Sequence, residues 1–156
     1  MSKRNLWKVS VYCLAAGWVC SQFVIYLGGF IFLEKVVGDD GVIRASIDPV
    51  RSGIFHGTLF LAVLLVGGIW FRRFMSRREI AVSALMASGL YLLLELLLSC
   101  IPGFPSSLAI LFVYFLEWKS TIAVLVMKLT NNQVISAVVS SFAPLLFILF
   151  GKKAKA

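Results

Sequence analysis

Four ionisable side chains lie inside apolar runs, where chemistry is the first thing to ask about. Glu117 and Lys119 flank Trp118 in the middle of LFVYFLEWKSTIAVLVMK (111–128). Glu95 interrupts LYLLLELLLSC (90–100), and His56, the single histidine, follows Gly53 at the start of another apolar run. A charge at mid-bilayer costs at least about 2.5–3.5 kcal/mol, so it usually marks a pathway or an internal pair. Ser88, Tyr91, Glu95 and Ser99 recur at three- and four-residue steps and share one helix face. Ser107, Tyr114, Glu117, Thr121 and Lys128 share a face of the next run. If these two runs form a hairpin about Gly103, a polar seam is expected from Ser88, Tyr91, Glu95, Tyr114, Glu117 and Thr121. Such a seam suits a cation, a proton or an amine-bearing solute. Lys119 lies about 200° round from Glu117 on an ideal helix and needs a partner elsewhere. The plain alternative is that these groups satisfy one another and lock the helices together.

The elements that must position them are set by composition. Of 156 residues, 60% are hydrophobic and 14% charged, against about 45–50% and 25% in soluble domains. The excess is gathered into long apolar runs, and only helices or closed barrels satisfy their backbone in lipid. The expected fold is all-α, a single transmembrane domain over residues 1–156. Five transmembrane helices are expected, at about 6–33, 53–71, 80–100, 107–129 and 134–150, with a polar extracytoplasmic loop at 34–52. The alternative is four spans plus a re-entrant segment at 106–129. It arises because five spans put Lys152, Lys153 and Lys155 outside, against the positive-inside rule.

That rule otherwise reads cleanly. Lys3, Arg4 and Lys8 precede the first span, and Arg72, Arg73, Arg77 and Arg78 join the second and third. These place the N-terminus in the cytoplasm of a cell membrane, taken as bacterial, and offer contacts to anionic lipid. The formal charge of +8 is accounted for by those positions, so no nucleic-acid partner is expected. Ser10, Gly17, Ser21 and Gly28 form a small-residue stripe on the first span, and Gly53 and Gly57 a pair on the second. Such stripes admit close helix contacts, and a homo-oligomer or a larger membrane partner is expected. Gln22 is expected to bridge helices. Pro144 should break the fifth run after Ser140.

Catalytic signatures are sparse. No GxSxG elbow, serine–lysine pair, facing aspartate pair or intramembrane metal-ligand cluster occurs, and Asp39-Asp40-Gly41 lacks the alternating oxygens of a calcium loop. Cys13 and Cys20 are about 10 Å apart along one helix, too far for a disulfide. No cofactor or metal and no enzymatic activity is expected. The leading function is a small transporter or channel-like protein for a small solute or ion. The alternatives are a non-catalytic subunit of a larger complex, and a lipid-modifying enzyme that uses His56 with Asp48. For His56 itself the simpler expectation is a polar cap at the membrane surface.

Overall fold

The computed structural model describes residues 5–37, 43–100 and 106–152; the side chains at 99, 100 and 106–108 also lie outside that description. Lys3, Arg4, Asp39, Asp40, Gly103, Lys153 and Lys155, and the side chains of Ser99, Cys100 and Ser107, therefore fall beyond it. The protein is an all-α bundle, and among the described residues five helices are long and apolar enough to cross a membrane: Lys8–Ile31, Pro49–Phe74, Arg77–Leu98, Ala109–Thr130 and Gln133–Phe150.

Local chemistry sets the boundaries. After α1 (Lys8–Ile31), the polar loop forms an antiparallel hairpin of β1 (Leu33–Val37) and β2 (Ile43–Ile47), with Leu33 opposite Ile47. The expected polar loop thus contains paired strands, because Val36, Val37, Ile43 and Ile47 favour extended backbone. α2 (Pro49–Phe74) starts four residues before the expected span, because Asp48 caps it. Asp48 Oδ1 accepts from the amides of Val50 (2.8 Å) and Arg51 (3.2 Å), and Pro49 occupies the first helical position. α3 (Arg77–Cys100) starts three residues early through a capping box. In it the Ser76 amide donates to Glu79 Oε2 (3.0 Å) and the Glu79 amide donates to Ser76 Oγ (3.4 Å).

The fourth run is interrupted. α4 (Ser106–Leu116) gives way to a 3-10 turn at Glu117–Lys119, and α5 (Ser120–Thr130) follows. Asn131, in the left-handed region with φ 48°, ends α5, and Asn132 caps α6 (Gln133–Ser141). A 3-10 stretch, Ala143–Phe150, continues that run. Pro144 forces the change, since it has no N–H to give to the Ser140 carbonyl.

At one end of the molecule α1, α2, α3 and the 143–150 stretch pack around Val9, Cys13, Phe71, Ile80, Ala84, Ala87 and Phe147. Arg72, Arg73, Arg77 and Arg78 are exposed there, Lys8 Nζ lies over the Phe74 ring, and the Arg77 amide donates to the Lys152 carbonyl at 3.2 Å. This is the basic end. At the other end stand the β-hairpin and the α5–α6 turn, and Arg51 ties Glu34 (3.0 Å) to Asp48 (3.2 Å).

One expectation is corrected by packing: among the described residues Gln22 bridges no helices, and its amide donates to Ser21 Oγ of the same helix at 3.4 Å. The α1 small-residue stripe does admit another helix closely at Gly17, which packs directly on the Phe115 backbone.

Candidate functional site

The 3-10 turn organises the charged residues. A 3-10 helix turns about 120° per residue, so Glu117, Trp118 and Lys119 point in three directions and each takes a partner from a different place.

Lys119 is 3% exposed. Its ammonium donates to Glu95 Oε1 at 2.6 Å and to Ser140 Oγ at 3.0 Å, and lies 6.0 Å from the Tyr91 ring centroid. The lysine is thus paired across to α3 and α6. Trp118 is 1% exposed and donates from Nε1 to Tyr91 OH at 2.6 Å. Phe60 of α2 stacks on its other side, with 5.6 Å between centroids and 6° between planes. Phe147, 6.0 Å away, links the indole to Phe71 and Tyr12. These rings close the bundle on the basic side of the turn.

Glu117 points to α2. Its Oε1 is 3.4 Å from His56 Nε2 and accepts from Ser120 Oγ at 3.4 Å. His56 Nδ1 meets the Ser52 carbonyl at 2.8 Å. Both imidazole nitrogens therefore face oxygen acceptors.

The expected seam between the third and fourth runs is accordingly divided. Tyr91 and Glu95 do face the fourth run, as their spacing required, but they meet Trp118 and Lys119. Glu117 meets neither Tyr91 nor Ser88. Ser88 Oγ is buried without a hydrogen-bond partner, as is Thr121 Oγ1, and half-buried Tyr114 makes no hydrogen bond among the described residues. The pairing of His56 with Asp48 does not form either. Asp48 is spent on the α2 cap and Arg51, whereas His56, two turns along, reaches Glu117.

A cleft of about 390 Å³ lies between α2 and α5. Ser52, His56, Glu117, Ser120, Thr121 and Lys128 supply its polar lining, and Ile47, Pro49, Val124 and Leu125 much of its apolar wall. A second recess, about 220 Å³, is bordered by Glu95, Lys119, Glu117 and Ser120. Glu117 and Ser120 line both. Thr121 borders the cleft, although its Oγ1 is itself buried and has no hydrogen-bond partner among the described residues. Among the described residues no three His, Cys, Asp or Glu side chains converge to hold a metal.

Known families, curated proteins and solved structures give no match to this chain.

Sequence spacing missed Ser140, Ser52 and Phe60. Ser140 left only a partial signal: counting outward from the polar turn at 130–133 puts Ser136, Ser140 and Ser141 opposite 122–127. The observed partners lie about one turn further along, Lys119 for Ser140 and the Ala123 carbonyl for Ser136. Tyr91→Phe is expected to cost about 1–3 kcal/mol of stability, because it strands a buried indole N–H. Thermal unfolding of the purified variant checks this; an unchanged midpoint would show that Tyr91 does not hold the indole.

Proposed function

We propose that the protein is a small membrane transporter or channel-like protein that admits a small cationic solute or a proton to Glu117 through the α2–α5 cleft. In this reading the basic end faces the cytoplasm, as the positive-inside rule directs, its arginines contact anionic lipid, and the cleft opens on the opposite side. The observation that carries the reading is the position of Glu117. It is a carboxylate inside the bundle that borders two recesses, above an aromatic floor of Trp118, Phe147, Phe71 and Tyr12. An ammonium group entering the cleft replaces His56 Nε2 at Glu117, and the Ser120 hydroxyl beside that carboxylate adds to its shell. A proton shared by His56 and Glu117 uses the same atoms. Lys119, held by Glu95 and Ser140, keeps the turn in place. Release toward the basic end then requires the aromatic floor to part, which makes that floor the gate.

A second reading has its own support. The two polar clusters are internally complete, Lys119 with Glu95 and Ser140, His56 with Glu117 and Ser52. A membrane subunit that scaffolds a larger complex needs nothing more of them.

Reconstitution into vesicles separates the two. Uptake of ethylammonium and choline, and proton flux followed with an entrapped pH-sensitive dye, are measured for wild type and Glu117→Gln. The expected result is flux of at least one probe, lost at least tenfold in Glu117→Gln while its unfolding midpoint stays close to wild type. No flux of any probe in wild type, or full flux in a well-folded Glu117→Gln, sinks the transport reading. Lost stability without any flux favours the scaffold.

A further inference from the structure

The geometry points to a re-entrant fourth segment: residues 106–130 enter and leave the membrane from the β-hairpin side, so that the chain crosses four times. Length and composition alone would let this segment span. Its neighbours tell which way each half runs.

The last run supplies a ruler. From Gln133 to Phe150 it rises about 30 Å, nine residues at 1.5 Å and the rest at about 2.0 Å, which matches the apolar thickness of a bilayer. It ends at the basic end, where Lys152 bridges Ser76 and Gly151 lies against Arg77. Going back up this ruler, Phe147 meets Trp118, Ser140 meets Lys119, and Ser136 meets Ala123. α5 therefore climbs away from the basic end, antiparallel to α6. α2 agrees: His56 is level with Glu117, and the cleft continues past Ser52 to Pro49 on one side and past Thr121 to Lys128 on the other. Thr130 thus lies at the β-hairpin end.

The first half must arrive from the same end. α3 rises from Arg77 at the basic end, passes Lys119 at Glu95, and places Cys100 about 7 Å beyond that level. Only six peptide links separate Cys100 from Ser106, a reach of about 21 Å. Were 106–130 one straight span with α5 climbing, Ser106 would lie about 20 Å below Lys119. It would then be about 27 Å in depth from Cys100, farther than the chain can stretch. The segment must bend at Glu117–Lys119, where the 3-10 turn is.

Each half has 11 residues, about 16 Å of helix and half a bilayer. α4 comes in against α1, and α5 leaves between α2 and α6. The tip is sheltered as such a segment requires: Trp118 and Lys119 are 1% and 3% exposed. This arrangement also removes the conflict with the positive-inside rule. Lys8, Arg72, Arg73, Arg77, Arg78 and Lys152 all gather at one end. It is independent of the transport reading, although it makes Glu117 reachable from the β-hairpin side alone.

Single cysteines test it in sealed vesicles with a membrane-impermeant maleimide, after Cys13, Cys20 and Cys100 are replaced by alanine. Lys35→Cys marks the β-hairpin side and Arg73→Cys the basic side. Gln133→Cys is expected to label with Lys35→Cys, and Lys152→Cys with Arg73→Cys. Labelling of Gln133→Cys from the Arg73 side, or of Lys152→Cys from the Lys35 side, overturns the proposal. Should the alanine background not fold, a fluorescent-protein fusion that matures only in the cytoplasm replaces it. Placed at either the N-terminus or the C-terminus of the otherwise native chain, it is expected to give the same signal; opposite signals from the two fusions overturn the proposal equally.

Discussion

Glu95→Leu is expected to destabilise the protein by about 3–5 kcal/mol, the usual penalty for stranding one member of a buried ion pair. The Lys119 ammonium has two hydrogen-bonding partners, Glu95 at 2.6 Å and Ser140 at 3.0 Å, and its side chain is 3% exposed. Without Glu95 it keeps one neutral hydroxyl and the face of Tyr91, neither of which carries the opposite charge. The reverse change should be milder. Lys119→Met strands Glu95, whose side chain is 25% exposed and borders the smaller recess, where water can reach it. The double variant Glu95→Leu/Lys119→Met is the decisive member of the set. If the pair is structural, replacing both ions with apolar groups of similar volume recovers most of the loss. Unfolding midpoints in one detergent, read for all three, check the order: Glu95→Leu lowest, Lys119→Met intermediate, the double variant nearest wild type. A Glu95→Leu protein as stable as wild type would mean the ammonium has found another anion. A double variant no better than Glu95→Leu would mean the loss came from packing around residue 95.

The same pair shows what was legible in the sequence and what was not. Helix positions followed from apolar runs, because lipid leaves the backbone little other choice. The face shared by Tyr91 and Glu95 followed from helical periodicity, and both do look onto the 117–119 turn. The partner assignment failed for a local reason. An ideal α-helix turns about 100° per residue and keeps Glu117 near the face of Tyr114 and Thr121. The 3-10 turn winds about 120° per residue and interrupts the straight helix that the face assignment assumed. Nothing in Glu-Trp-Lys announces a 3-10 turn; around it Glu117 meets α2, Trp118 meets α2 and α3, and Lys119 meets α3 and α6. The break at Pro144 was visible, because proline lacks the N–H that the Ser140 carbonyl needs. The continuation of that run as 3-10 helix to Phe150 was not. Asp48 entered the sequence reading only as a partner for His56 in an alternative; an aspartate followed by proline at a helix start is first a cap, and a cap uses the oxygens that acid–base work would need.

Gly17→Ala is expected to be the costliest single-methyl change in the chain. A Cβ at position 17 would stand 2.0 Å from the Phe115 carbonyl oxygen and 2.6 Å from its carbon, far inside van der Waals contact. The obstacle is backbone, so no rotamer change relieves it, and α1 or α4 must move. Overpacking of this kind costs about 1–3 kcal/mol and at times more, against which alanine regains up to about 1 kcal/mol of helix propensity over glycine. Gly57→Ala is the matched control: nothing lies within 4 Å of its would-be Cβ, so only the propensity gain remains and stability should hold or rise slightly. The displacement also has a direction. Phe115 lies two residues before Glu117, so moving α4 off α1 shifts the turn that carries Glu117, Trp118 and Lys119. Gly17→Ala should therefore raise the accessibility of Trp118 to an aqueous quencher such as iodide. Because the chain has four tryptophans, that readout is taken with Trp7, Trp18 and Trp70 replaced by phenylalanine. Equal stability of Gly17→Ala and Gly57→Ala, with Trp118 equally shielded in both, would show that the close approach of α1 and Phe115 does not hold the charged turn in place.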